Sequence, residues 1–152
     1  MFVSLFYGVL DPATGRLEWT TAGQLPPIRI DAAGNAGYLA SQGSPLGAMS
    51  TSRYRDADCL LDPGDSLLLT SDGLVEARDS AGSMLGYSRF LATVQQAATA
   101  GREDLAESLV RAVKAASDPA MEFDDVTVLV IHRRPVPVEL SAPPAAADAI
   151  AS

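Results

Sequence analysis

Apolar residues in this chain gather either in short unbroken runs or at spacings of three and four. The clearest unbroken run is LLLT at residues 67–70, which stops abruptly at Ser71-Asp72-Gly73. Such a run, ended by a turn signal, predicts a strand buried on both faces. A second run, VTVLVIH at residues 126–132, is rich in β-branched residues and predicts another central strand. A third, MFVSLFYGVL at residues 1–10, is apolar on both alternating faces and predicts a central strand too. Pro12 and Gly15 supply turn chemistry after it, and residues 16–21 read as the returning strand of a hairpin with Leu17 and Trp19 on one face. Short strands are expected at 28–31 and 37–40, around a turn at 32–35. Residues 53–61 alternate weakly and carry several charges, which suits a sheet edge. Two stretches have helical spacing. Over 87–100 the apolar positions are Phe90, Leu91, Val94 and Ala98, with Gly101 as the stop. Over 102–117, Leu105, Leu109 and Val113 form a stripe, and Glu103, Asp104 and Glu107 lie largely off it. Acidic residues in that first turn suit the helix dipole.

The segments between are informative mainly as breaks. Ala22-Gly23-Gln24-Leu25-Pro26-Pro27 cannot continue a central strand and predicts a stiff loop. From residue 134 onward the chain is rich in Pro and Ala with little to bury, so 134–152 is expected to be a disordered tail behind one domain spanning 1–133. No internal repeat is visible. With 152 residues, 47% of them hydrophobic, one sizeable core is expected. The net charge of −8 argues against nucleic acid or an anionic membrane as the main partner. The single cysteine, Cys59, allows no internal disulfide and reads as a small strand residue. His132, the only histidine, stands beside Arg133 and Arg134 and reads as a surface residue. With no secretory signal and no uninterrupted apolar span, a cytoplasmic location is expected.

Candidate chemistry sits where the two strongest strands meet charge. Asp72 stands at the exit of the first, and Asp124 and Asp125 at the entry of the second. A carboxylate at the end of a rigid strand has a fixed direction, and Gly73 behind it lets backbone or ligand come close. If the two strands are antiparallel neighbours, these carboxylates converge. Converging carboxylates repel unless a cation sits between them, and oxygen donors suit Mg²⁺ or Mn²⁺. The plainer alternatives are an Asp-Gly turn and a solvated acidic loop.

Several motifs, in order and at their spacings, resemble the metal-dependent protein phosphatases of the PPM family, in particular its bacterial SpoIIE-type branch. They are F-V-S-L-F-Y-G-V-L-D-P-A-T-G-R-L followed by A-G-Q-L-P-P over residues 2–27, P-L-G at 45–47, L-x-P-G-D-S-L-L-L-T-S-D-G-L-V-E-A-R at 61–78, and D-D-V-T-V-L-V-I at 124–131. The resemblance covers residues 2–133. It implies an α+β fold, an αββα sandwich of two antiparallel sheets with helices outside, here incomplete. It implies a serine/threonine phosphatase using two Mg²⁺ or Mn²⁺ ions, with a metal-activated water as nucleophile and no side chain attacking phosphorus. By motif match, Asp72 and Asp124 would be metal ligands, with Gly73 and Asp125 standing next to them. The loop with Gly23 and Gln24 would lie beside the site. Substrates in this branch are commonly phosphoserine or phosphothreonine on anti-sigma-factor antagonists.

Two departures stand out. The family's first metal motif, an Asp-Val-Ser-Gly-type segment supplying an Asp that bridges both metals, is absent from the 152 residues. At most one ion, weakly held, is therefore expected, and Met1 can be read as an internal methionine of a longer gene or as a truncation. Gln24 also stands where the branch usually has His, and Gln cannot titrate near neutral pH. The main alternative is a truncated, non-catalytic module with a binding or regulatory role. A haloacid-dehalogenase-like reading fails because Thr70 occupies the place of the nucleophilic Asp. Lacking upstream strands and a helix, the sandwich is expected to expose apolar surface near residues 1–10, inviting self-association.

Overall fold

The first two strands fold onto each other through residues 11–15. There the Asp11 carboxylate accepts hydrogen bonds from the Ala13 N–H at 2.9 Å and the Thr14 hydroxyl at 2.7 Å. Those bonds hold its carboxyl below the usual carboxylate range. Gly15 closes the turn at φ 81°, and a Cβ there would stand 2.3 Å from the Leu61 carbonyl oxygen, so only glycine fits. The computed structural model describes residues 1–40, 43–101, 103–120, 123 and 125–135. The hairpin pairs β1 (Leu5–Leu10) with β2 (Arg16–Ala22), antiparallel, Leu10 opposite Leu17. A second hairpin pairs β3 (Ile28–Ile30) with β4 (Ala36–Tyr38) around Asp31, whose carboxylate caps the turn through the Ala33 and Asn35 N–H groups.

Two antiparallel sheets result. β5 (Ala57–Leu60) flanks β2, giving the order β1-β2-β5. β6 (Ser66–Thr70) lies between β3 and β7 (Val128–His132), giving β4-β3-β6-β7. Helices α1 (Gly86–Ala100) and α2 (Leu105–Ala116) pack against the four-stranded sheet. The alternation of β6 explains its unbroken apolar run: Leu67 points into the space between the sheets and Leu68 into the space under the helices. Between the sheets lie Leu17, Trp19, Leu61 and Leu67. Under the helices lie Ile28, Ile30, Phe90, Val94, Leu105, Leu109 and Val113. The helical stripes read from the sequence are these buried faces, with Leu91 only partly covered.

Two expectations need correction. Residues 1–10 do not form a central strand. β1 is an edge strand, and Leu5, Tyr7 and Val9 on its outer face are 42%, 61% and 55% exposed. Among the described residues no strand pairs beyond β1 and no helix packs into its sheet's core, so an apolar face remains uncovered. Likewise β7 begins at Val128 and is the edge of the four-stranded sheet, not its centre. Composition reports apolar content on both faces, but not how many neighbours a strand has. β5 is an edge, as its charges suggest. The expected tail falls largely on residues 136–152, outside the described residues.

Two cationic side chains brace this framework, Arg29 within the four-stranded sheet and Arg133 between the sheets. Arg29 on β3 donates through Nε and Nη2 to Asp65 at 2.8 and 2.6 Å, where the Asp65 side chain is 2% exposed. Asp65 also accepts the Asp62 N–H at 3.0 Å. Arg133, just past β7, donates to the carbonyls of Leu61 at 2.6 Å and Ala13 at 3.1 Å, fastening the end of one sheet to the hairpin of the other.

Candidate metal centre

The antiparallel neighbours that the carboxylate argument required are present. β6 pairs with β7 in the register Ser66–His132 through Thr70–Val128. Beyond the last pair Ser71 continues the contact. Its N–H donates to the Thr127 carbonyl at 3.0 Å, its hydroxyl donates to the Asp125 carbonyl at 2.9 Å, and the same hydroxyl accepts the Thr127 N–H at 2.9 Å. The exit of β6 is thereby pinned against residues 125–127.

Asp72 follows directly and opens a single 3₁₀ turn, Asp72–Leu74. The turn is anchored from behind, because Gly73, Leu74, Val75 and Ala77 are buried, the last three in the core under the helices. The Asp72 carbonyl accepts the Glu76 N–H at 2.9 Å, and Asp72 itself is exposed. Asp125 is exposed on the same end of the sheet. Asp124 lies outside the described residues, so its position relative to Asp72 is not part of this geometry.

The loop with Gly23 and Gln24 reaches this end of β6. The Gln24 side-chain amide donates to the Thr70 carbonyl at 2.9 Å. Gly23 has φ 69°, and a Cβ there would stand 2.4 Å from Pro45 Cγ, so glycine lets the loops carrying Gly23 and Pro45 lie against each other. Ser71 is the residue that sequence reasoning missed. It stands in the same S-D-G motif, but its partners are 54 and 56 positions away and only the sheet register brings them to it.

The exposed carboxylates of Asp72 and Asp125 at this end of the sheet are hard oxygen donors, the type that suits Mg²⁺ or Mn²⁺. No group of three or more His, Cys, Asp or Glu side chains able to hold a metal occurs among the described residues. These residues would supply part of a coordination shell and not a whole one.

Elsewhere the single-residue readings hold. Cys59 is half-buried and burial pushes its thiol up, keeping it protonated. His132 is exposed, its Nδ1 3.0 Å from the Ser66 hydroxyl. No helix of the described residues is long and apolar enough to cross a membrane.

Two facing antiparallel sheets, with helices on the outside of one, make this an α+β sandwich of the PP2C phosphatase type. The chain belongs to the SpoIIE family (stage II sporulation protein E), whose profile matches residues 1–134. It is 28% identical over 133 residues to protein IcfG of Synechocystis, covering 88% of this chain and 21% of that protein. It is 24% identical over 135 residues to the phosphoserine phosphatase RsbU of Bacillus subtilis, covering 88% of this chain and 40% of that one. Among solved structures, the RsbU and RsbW domains of a Mycobacterium tuberculosis protein superpose with a TM-score of 0.70 at 28% identity, over 88% of this chain and 37% of that chain. The chain thus spans less than half the length of these relatives.

Proposed function

We propose that this chain carries part of the metal site of a SpoIIE-type serine/threonine phosphatase, with Asp72 and Asp124 as ligands of Mg²⁺ or Mn²⁺. The observation that supports this most is the Ser71 bridge, because it fixes the exit of β6, where Asp72 follows, against residues 125–127, which follow Asp124 in the sequence. A bound divalent cation would supply Lewis acidity and neutralise charge on phosphoryl oxygens. The chain's own residues aim and hold. The buried turn behind Asp72 sets the carboxylate's direction. Ser71 ties the two strand ends, and Gln24 ties the 23–24 loop to Thr70. Asp125 adds negative charge beside the ligands and Gly73 keeps the turn free of a side chain. The substrate we propose is phosphoserine or phosphothreonine on a regulatory protein, of the anti-sigma-factor antagonist type. The similarity to the phosphoserine phosphatase RsbU and to joined RsbU and RsbW domains supports that choice.

A second reading keeps the family and drops turnover. It is a non-catalytic phosphatase-like module with a binding or regulatory role, and it fits the finding that the described residues hold no group of three or more His, Cys, Asp or Glu side chains able to hold a metal. The experiment that separates them measures both Mn²⁺ affinity and Mn²⁺-dependent phosphatase activity of the whole chain. On the first reading both are present and both fall at least tenfold in Asp72→Asn and in Asp124→Asn. Binding without turnover selects the second. Mn²⁺ affinity unchanged in both variants would overturn the site itself.

A further inference from the structure

The turn that carries Asp72 runs on into a loop that comes straight back to it. The Val75 and Ala77 carbonyls accept the N–H groups of Gly86 and Leu85 at 2.8 and 2.7 Å. Those donors belong to the start of α1, which has no side-chain cap. A helix start leaves such N–H groups without intrahelical partners, and here the chain following Asp72 supplies the acceptors. Between these bonds Arg78 pairs with Met84 in an antiparallel bridge. At the tip the Asp79 carboxylate accepts the Ala81 and Ser83 N–H groups at 3.0 and 2.9 Å. Residues 80–84 are exposed. A cavity of about 290 Å³ separates the loop from the two helices, bordered by Ala77, Arg89, Thr93, Val113 and Ser117. Side-chain packing therefore does little to fix this loop, and its polar bonds decide where it sits.

Arg89, one turn into α1, grips the loop from the helix side. Its Nε donates to the Leu85 carbonyl at 2.9 Å and its Nη2 to the Met84 carbonyl, while its Nη1 stands 3.7 Å from the Asp79 carboxylate. That ion pair is solvated and contributes little by itself. The fork on two successive carbonyls is the specific feature, because a guanidinium presents several donors in one rigid plane. We infer that Arg89 is a positioning residue for the proposed metal site. By holding Met84 and Leu85 it keeps the Leu85 and Gly86 N–H groups on the Ala77 and Val75 carbonyls. It thereby fixes the backbone from which the Asp72 carboxylate projects. A ligand group must be held to within about 0.5 Å of its working position, which a loose backbone does not do. Leu74, Val75 and Ala77 anchor the turn in the core, and Arg89 locks the chain that leaves it. Every contact in this path lies within residues 72–89. The inference rests on the reading of Asp72 as a metal ligand.

Amide hydrogen exchange on the metal-free full chain, read together with Mn²⁺ affinity, provides the test. The reporting amides are Glu76, bonded to the Asp72 carbonyl, and Gly86, bonded to the Val75 carbonyl. In Arg89→Met both are expected to exchange at least tenfold faster than in the wild type, and Mn²⁺ affinity is expected to fall at least threefold. Arg89→Lys keeps a charge beside Asp79 but cannot span two carbonyls, and is expected to behave like Arg89→Met. Arg133→Met controls for general loss of stability. It cuts the bonds to Leu61 and Ala13 at the other end of β6 and leaves both readouts as in the wild type. Unchanged exchange at Glu76 in Arg89→Met, an acceleration spread evenly over both sheets, or the same effects in Arg133→Met would each overturn the inference. So would faster exchange with Mn²⁺ affinity unchanged, where Asp72→Asn lowers that affinity. Mn²⁺ affinity indifferent to Asp72→Asn would overturn the ligand reading instead, and the exchange rates then decide alone whether Arg89 holds the turn.

Discussion

Ser71 carries three hydrogen bonds to a segment more than fifty positions away, two of them through one hydroxyl. Ser71→Ala removes both hydroxyl bonds and leaves the Thr127 N–H without its acceptor. The expected loss is about 1–2 kcal/mol of stability in urea titration, together with weaker Mn²⁺ binding. Stability loss with Mn²⁺ affinity unchanged would separate the strand tie from the proposed site. Asp65 makes the sharper case. It is buried and accepts two bonds from Arg29 and one from the Asp62 N–H. Its carboxylate also raises the Arg29 guanidinium above its ordinary value, chiefly through their hydrogen bonds. Asp65→Ala leaves Arg29 its Asp62 partner at 3.2 Å but removes its two shorter bonds and the acceptor of the Asp62 N–H, and is expected to cost about 1–3 kcal/mol by chemical denaturation.

Each sheet has a hairpin turn capped by an aspartate. Asp11 caps β1–β2, and Asp31 caps β3–β4 through Asn35, Ala33 and its neighbours. Both carboxyls are held below their ordinary value of 3.8, Asp11 first by the Thr14 hydroxyl and Asp31 first by the Asn35 side chain. A carboxyl whose value is lower in the folded chain than in the unfolded one stabilises the fold only while ionised. That contribution is complete above pH 3.8 and is lost as pH falls through the lowered folded values. Urea midpoints measured downward from pH 5 should therefore drop below about pH 4, and the drop should be shallower in Asp31→Asn. An unchanged acid slope in that variant would remove Asp31 as a cause. The elements that these turns connect were readable because local chemistry dictates them: a Pro12-to-Gly15 turn, helical stripes at fixed spacing, and an apolar run stopped by Ser-Asp-Gly.

At the scale of the whole molecule the protein is a lopsided sandwich. Helices α1 and α2 cover the outer face of the four-stranded sheet. Among the described residues the outer face of the three-stranded sheet has no such cover. The two layers are nevertheless fastened at one end by Arg133, which reaches from the end of β7 to the hairpin at Ala13 and to Leu61.

Hydrophobic spacing along the chain was enough to place both helices, their buried stripes and the doubly buried strand β6, since each of those depends on contacts every second, third or fourth residue. It also put Asp72 at a strand end and the acidic pair 124–125 ahead of another strand. Tertiary structure alone decided which strands stand in the middle of a sheet and which at its rim. Residues 1–10 and 126–132 have the composition of interior strands and lie at edges, because the number of neighbours depends on chain far away in sequence. It alone decided that the end of β6 meets residues 125–127, through a serine whose bonds join strands that the sequence separates by two helices.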